Sequence, residues 1–352
     1  MKKGLEDKPV FIKNEKLVKE FLRKNKHIIY VDAFSHQVKE LFFIKNHEFI
    51  GQNKEEVYKS PSFLKFLKDI KGKYTHVYYP WNHTLVKIVT KDDYLTLKTN
   101  RNQDLITKEQ QKKLSDLKLG VFGMSVGSNI AFVLTQAGIS NNITIADFDN
   151  LDTTNLNRIL AGVYQVGLNK TIVASRRIYE DNPFAKVTLM QKGVNVKNLE
   201  ILLKNKKLDC IVEEIDSFMM KIEIRLLAMK YKIPVVMITD NGDGIVLHIE
   251  RYDLGYNKIF DKDLSYWNEL KEKKLGREEM GGIIMNDIVG GMDRVDPNMF
   301  ESVKKVISKE LVSWPQLGSA AIYGGVVATF AIKEIFKNNK ELYIIKHFNL
   351  SI

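Results

Sequence analysis

A glycine- and serine-rich turn, with Gly123, Ser125, Gly127 and Ser128, follows directly on the short apolar run 119–122. Backbone N–H groups at such a turn can approach a phosphate closely, and a helix that starts there sets its positive dipole end against the charge. The spacing falls short of a full G-x-G-x-x-G: either Ser125 and Ser128 replace two glycines, or the turn is one residue short. About 20 residues further on, Asp147 and Asp149 end a second apolar run, where an acid can hold ribose hydroxyls. Turn and acids together point to a nucleotide and leave NAD and ATP both open.

The next residues narrow the choice. Asn155 and Arg158, then Gly167 and Lys170, then Asn182 and Pro183 follow in order. This series resembles the ThiF/MoeB superfamily, which includes the ubiquitin-activating enzymes, with its D-x-D, S-N-L-x-R, G-x-x-K and a later N-P. An ATP-cleaving site needs such an arginine and lysine, because charge develops on the α-phosphate and on departing pyrophosphate. The resemblance covers about residues 99 to 337. Upstream, Arg101 is similar to the family's N-terminal arginine, which reaches the partner subunit's triphosphate. Downstream, residues 210–217 resemble the strand that leads to a Mg²⁺-linked aspartate, here Asp216, and residues 315–328 resemble the small-residue helix that closes the domain. Tyr79-Pro80-Trp81, Glu213-Glu214 and Trp314-Pro315-Gln316-Leu317 are similar to a bacterial subgroup sometimes fused to a nitroreductase-like domain.

The resemblance implies an ATP-dependent adenylyltransferase that activates a carboxylate as its acyl-adenylate and releases pyrophosphate. On that reading Gly123, Ser125 and Gly127 line the phosphate turn, Asp147 binds ribose, and Asp149 sits beside it or the metal. Asn155, Arg158 and Lys170 neutralise the triphosphate, Asp216 holds Mg²⁺, and Arg101 enters from the other protomer of a homodimer. For Asp216, a cap on the following helix is the plainer role. The substrate class implied is a peptide or small protein. A tRNA-modifying dehydratase using the same site, a nucleotide-binding scaffold without activity, and an NAD-dependent oxidoreductase are the competing readings. Many relatives carry paired C-x-x-C motifs for zinc and some a catalytic cysteine; this chain has one cysteine, Cys210, in an apolar run. No zinc and no enzyme thioester are therefore expected, with Cys210 a core residue.

The elements that must position these residues are legible from periodicity. From about residue 99 onward, short apolar runs alternate with helix-like segments, which predicts βαβ units: a Rossmann-like, doubly wound, mainly parallel sheet over 99–352. In such sheets the ligand sits at the carboxyl ends of the strands. Residues 1–98 read as a small α+β region for substrate recognition or dimer contact, with the aromatic block 78–82 as a hydrophobic plug. The stretch 239–244 either flanks the adenylate site or merely reverses the chain, and within the charged stretch 255–300 Arg277, Glu278, Glu279, Gly281 and Gly282 are expected to belong to a mobile lid.

Composition bounds the rest. The 352 residues, 44% of them hydrophobic, suffice for a packed core, and no run of apolar residues approaches a membrane span. Two lysines near the N-terminus have no apolar stretch behind them, so a cytoplasmic protein without a signal peptide is expected. The net charge of +11 would suit RNA, an acidic peptide or nucleotide phosphates, or simply reflect dispersed lysines; RNA is the less favoured partner.

Overall fold

The structure, a computed structural model, describes residues 7–273 and 276–349. Two compact units are present, one formed by the residues up to Gln111 together with Tyr179–Phe184, the other by Lys112–Ile178 and Ala185 onward.

In the first unit, β1 (Val10–Ile12), β2 (Ile29–Asp32), β3 (Tyr74–Tyr79) and β4 (Thr84–Val89) form one sheet in the order β1-β3-β4-β2. β3 and β4 make an antiparallel hairpin, and β2 joins β4 in parallel. Alternation along β4 turns Leu85 inward with no exposure, and Val89 packs with Val38, Leu41 and Ile70 from the helices Phe34–Lys45 and Pro61–Ile70. The aromatic block is the tip of the β3–β4 hairpin. There Trp81 stacks edge-on with Tyr79, and its indole N–H donates to Glu180 at 2.7 Å. Trp81 is only partly buried and its N–H is satisfied by a charged acceptor, so the block is more than an apolar plug.

The second unit holds a seven-stranded sheet in the order β11-β10-β9-β8-β5-β6-β7. The strands are β5 (Lys118–Phe122), β6 (Asn142–Ala146), β7 (Lys186–Met190), β8 (Cys210–Glu213), β9 (Val235–Asn241), β10 (Gly244–Glu250) and β11 (Tyr343–Phe348). β7, β6, β5, β8 and β9 are parallel, and β10 and β11 extend the sheet antiparallel. β5 and β8 are covered on both faces, so they read as continuous apolar runs rather than alternating ones. The order reverses at β5: the chain winds out through β6 and β7, then returns to the other side of β5 as β8. That switch point opens a crevice at the carboxyl ends of β5 and β8.

Helices Val126–Gln136 and Gly318–Lys337 pack on one face. A side chain on Gly324 would lie 2.9 Å from Ile238, and one on Gly325 3.2 Å from the Asn129 backbone, so these glycines set how closely the helix can approach. By length and composition Gly318–Lys337 is apolar enough to cross a membrane, which the short apolar runs of the sequence do not show; half of it is buried against this sheet. On the other face, Leu199, Leu203, Ile224 and Leu227 pack over Ile211 and Val235. Within 255–300, Ile259, Phe260, Trp267 and Ile288 form a core with Phe218, Ile222 and Met237. Much of the stretch expected to be a lid is thus packed on the sheet. The side chains of Arg277 and Glu278 lie outside the described residues.

Candidate active site

Gly123 ends β5 at φ +94°, and a Cβ there would lie 2.2 Å from the Glu214 carbonyl oxygen at the end of β8. Only glycine satisfies both the left-handed backbone and that approach. Gly127 is less constrained, its would-be Cβ 3.1 Å from the Val121 side chain. Between them Ser125 precedes the helix Val126–Gln136, whose first amides face the crevice mouth unpaired by the helix itself. The Asp147 carboxylate braces this turn, accepting from the Met124 amide at 2.6 Å and from the Asp149 amide at 2.8 Å. Burial raises its pKa against those two amides. Both oxygens are thus engaged by backbone, which makes Asp147 a brace between the first and second strand ends.

The two cations are anchored. Arg158 donates from Nε to the Ser125 hydroxyl at 2.8 Å and from a terminal nitrogen to the Asn157 side-chain oxygen at 2.9 Å. Asn129 holds the Arg158 carbonyl at 2.8 Å. Burial lowers the Arg158 pKa, and Asp240 and Asp216 on its far side oppose that shift. Lys170 opens the helix Lys170–Asp181 with only 9% exposure, and its Nζ meets the Asp149 carboxylate at 2.8 Å. Neither is the solvated surface charge that an unused pair would be. Asn155 is buried and spends its side-chain oxygen on the Asp152 amide at 3.0 Å, so it shapes the turn that carries Arg158.

Asp216 is exposed in the loop after β8. The cap of the helix Phe218–Tyr231 is Ser217, whose hydroxyl accepts from the Met220 amide at 3.4 Å. Asp216 is therefore released from the capping role that the sequence also allowed it. Its loop is fixed by Glu213, a fully buried carboxylate that accepts from the Ile215 amide at 2.7 Å, Lys221 at 3.0 Å and Arg225 at 2.9 Å. Burial raises the Glu213 pKa, yet Lys221 and Arg225 more than reverse it. Arg101 is exposed on a one-turn helix, Asn100–Asn102, of the first unit. Cys210 is fully buried in β8, and burial pushes its thiol pKa up.

Residues 97–344 match the ThiF family. The chain belongs to it. A protein of Mycobacterium tuberculosis that is itself uncharacterized is 32% identical over 73% of this chain and 35% of its own length. The tRNA threonylcarbamoyladenosine dehydratase of Bacillus subtilis is 29% identical over 39% of this chain and 54% of its own. The chain thus spans about a third to a half of these curated relatives. Among solved structures, E. coli MccB with ATP covers 82% of this chain and 78% of its own at TM-score 0.50 and 18% identity. E. coli TcdA, a tRNA N6-threonylcarbamoyladenosine dehydratase in complex with AMP, covers 71% and 97% at TM-score 0.51 and 21% identity. At those identities the likeness is one of fold, and the Rossmann-like α/β class expected from the sequence is the class observed.

Three further residues stand around Arg158 and the turn; the sequence offered Asp240 only as part of the stretch 239–244, and Glu214 and Gln316 only within longer motifs, without a role for any of them. Asp240, near the end of β9, faces Arg158; one of its oxygens is buried without a partner and the other lies 3.4 Å from Gln316. Burial pushes its pKa up to about 6, with Arg158 and Gln316 opposing. Its place at the end of a parallel strand was the available signal. Gln316 also accepts from Asn157 through its carbonyl at 2.7 Å, joining the loop of Arg158 to the start of the helix Gly318–Lys337. Glu214 lies beneath Gly127 and accepts from the Ile238 amide at 2.8 Å; burial raises its pKa well above the ordinary value.

Proposed function

We propose that this ThiF-family chain is an ATP-dependent adenylyltransferase that activates a carboxylate and stops at the acyl-adenylate, or passes it to a nucleophile bound from outside. The observation that carries the reading is the convergence of a glycine turn, anchored Arg158, buried Lys170 and exposed Asp216 at the carboxyl ends of the parallel strands. In the reaction a carboxylate oxygen attacks the α-phosphorus of ATP, the bond to the bridging oxygen breaks, and pyrophosphate leaves with its electron pair. Arg158, held by Ser125, and Lys170, held by Asp149, balance the charge that develops there. The Gly123 and Met124 amides are taken up by Ala146 and Asp147, which leaves those of Ser125, Val126 and Gly127 to receive phosphate oxygens.

Mg²⁺, when bound, would neutralise phosphate charge and polarise the phosphoryl oxygens. Asp216 fits it, being exposed and unoccupied by capping, since Mg²⁺ usually takes one or two carboxylates with phosphate and water completing the shell. Asp149 stands nearest to a ribose or metal role, its carboxylate half exposed beside Lys170. Cys210 is not used, so a Cys210→Ala protein should turn over normally and no zinc or thioester is required.

We take the acid to be that of a peptide or small protein, and the active form to be a homodimer in which Arg101 completes the neighbour's site. The exposed stripe Ile322, Val326 and Phe330 along one face of Gly318–Lys337 supports self-association. A second reading, dehydration of a modified tRNA through the same adenylation, is favoured by the likeness to the Bacillus dehydratase and by the net charge of +11. ATP–pyrophosphate exchange against peptides, tRNA and cell extract tests both. Label exchange with a peptide acid supports the first reading, exchange with tRNA alone the second, and tighter NAD(H) than ATP binding overturns both.

A further inference from the structure

Behind the loop of Asp216 lies a chain of four charged side chains. Glu213 ends β8, Lys221 and Arg225 stand one turn apart on the helix Phe218–Tyr231, and Glu250 ends β10. Glu213, Arg225 and Glu250 have no exposure at all. Arg225 joins the two acids, donating from Nη1 to Glu213 at 2.9 Å and from Nε to Glu250 at 2.6 Å. Its Nη1 also donates to the Lys221 carbonyl at 3.0 Å, and its guanidinium lies 3.9 Å from the centre of the Phe260 ring. Glu250 in turn accepts from the Tyr252 hydroxyl at 2.9 Å and from the Phe260 amide at 3.0 Å.

At its other end the chain reaches the loop. Glu213 Oε1 accepts from the Ile215 amide at 2.7 Å, so the carboxylate holds the backbone one residue before Asp216. Lys221 meets the same oxygen at 3.0 Å and Arg225 meets the other, which leaves the carboxylate a single orientation. Two acids and two bases balance, yet such an arrangement is a poor source of stability. Taking charges out of water offsets most of their attraction, and apolar side chains of like volume hold a core as well. What a hydrogen-bonded chain supplies and non-directional apolar burial does not is a fixed angle at each link. The loop after β8 is where an angle matters, because Asp216 is exposed and Ser217 is the residue tied to the helix.

We propose that Arg225 is a positioning residue: acting through Glu213, it fixes the backbone at Ile215 and so the direction in which Asp216 presents its carboxylate. That Asp216 then meets Mg²⁺ rests on the adenylation reading above.

The test removes one acid–base pair and leaves the other. In Arg225→Met/Glu250→Gln the glutamine keeps an acceptor for Tyr252 and Phe260, the methionine keeps an apolar stem, and Glu213 retains Lys221. The control is Glu223→Gln/Lys271→Met, which breaks a 2.6 Å bridge from the same helix to the helix Leu264–Glu272 without reaching Glu213. Amide hydrogen exchange of residues 214–217 is read by mass spectrometry on the full chain without ligand, and the Mg²⁺ requirement of ATP binding by calorimetry. In the double variant, exchange should be about tenfold faster, as for a loop released from a buried tether. The Mg²⁺ midpoint should rise about tenfold, the usual worth of a group that orients a metal ligand, and ATP binding should recover at saturating metal. The control should stay at wild-type values.

Wild-type exchange in the folded double variant overturns the proposal, as does an equal change in the control. So does an unmoved Mg²⁺ midpoint where Asp216→Asn raises it. Wild type that binds no ATP, or Asp216→Asn with an unchanged Mg²⁺ requirement, sinks the metal reading instead, and exchange still decides whether Arg225 holds the loop. If the double variant melts early, Arg225→Lys replaces it in every arm, since one ammonium cannot reproduce the guanidinium fork that spans both acids.

Discussion

The Arg158 guanidinium donates from Nε to the Ser125 hydroxyl at 2.8 Å, so the serine that interrupts the glycine motif holds the arginine over the turn. A glycine at that position would leave the motif more regular and the arginine less constrained. Hydrogen bonds to charged groups contribute roughly 1.5–3 kcal/mol. Ser125→Ala is therefore expected to weaken MgATP binding by about 10- to 100-fold, with little change in melting temperature. Isothermal calorimetry decides it: affinity within twofold of wild type would show that the contact does not position Arg158.

Asp240 gives a pH-dependent prediction. Its carboxyl holds a proton up to about pH 6 when folded, against an ordinary value of 3.8. Between those values the native state binds more protons than the unfolded chain, so wild-type stability falls across the window as pH rises. Asn cannot titrate there. Asp240→Asn should match wild type near pH 4 and exceed it by roughly 2 kcal/mol at pH 7.5, a figure that follows from the shift after allowance for partial solvent access. Urea melts at both values check this; a gap that is constant with pH refutes it. MgATP binding should also change, because Arg158 loses its facing charge.

Asp216 separates catalysis from architecture cleanly, because Ser217 carries the helix cap. Asp216→Asn should leave stability within about 0.5 kcal/mol, as for a surface change away from any cap or core contact. The Mg²⁺ requirement for ATP binding should shift to much higher metal concentration, and exchange should fall by orders of magnitude. Metal titrations followed by calorimetry, with Ser217→Ala as the capping control, distinguish the roles. Stability loss in Asp216→Asn with an unchanged Mg²⁺ requirement would assign the residue to structure.

What could be read from the chain beforehand follows a physical divide. β5, β6, β8 and β9 were legible because a strand buried on both faces must be a short apolar run, and the alternation with helices fixes a parallel sheet. Arg158 and Lys170 stood out in the sequence by their order and spacing after Asp147 and Asp149, and the structure anchors them on Ser125 and Asp149. β10 and β11 were missed: in β10 the buried His248 and Glu250 break the apolar run, and β11 is an edge strand only partly buried, with Lys346 exposed. Glu250 pairs with Arg225, 25 residues earlier, at 2.6 Å and also accepts from the Tyr252 hydroxyl and the Phe260 amide, and no local period reveals such a set. The bracing contact of Asp147 to the Met124 amide was not legible, because only the pairing of β5 with β6 brings that turn, 23 residues earlier, beside it. Asp240 was legible only as part of the stretch 239–244, because Arg158, 82 residues earlier, meets it only through the fold.

The last prediction concerns the site's completion by a second copy. Arg101 is exposed in the first unit, while Lys170 is buried beside Asp149 in the second. If Arg101 acts on the neighbour's nucleotide, a working site takes Lys170 from one chain and Arg101 from the other. Arg101→Ala and Lys170→Met should each be inactive, methionine being chosen to keep the buried stem apolar. Mixing equal amounts under conditions that allow exchange makes half the dimers mixed, each with one intact site, so about a quarter of all sites should be whole in a twofold dimer. Pyrophosphate exchange with an acid that supports it in the wild type reads this directly, and the stoichiometry of tight MgATP binding does so without one. Recovery near a quarter places Arg101 in the neighbour's site. No recovery, with mixed dimers demonstrated by native mass spectrometry, places Arg101 in its own chain's site or outside any site, and a monomer at assay concentration removes the arrangement altogether.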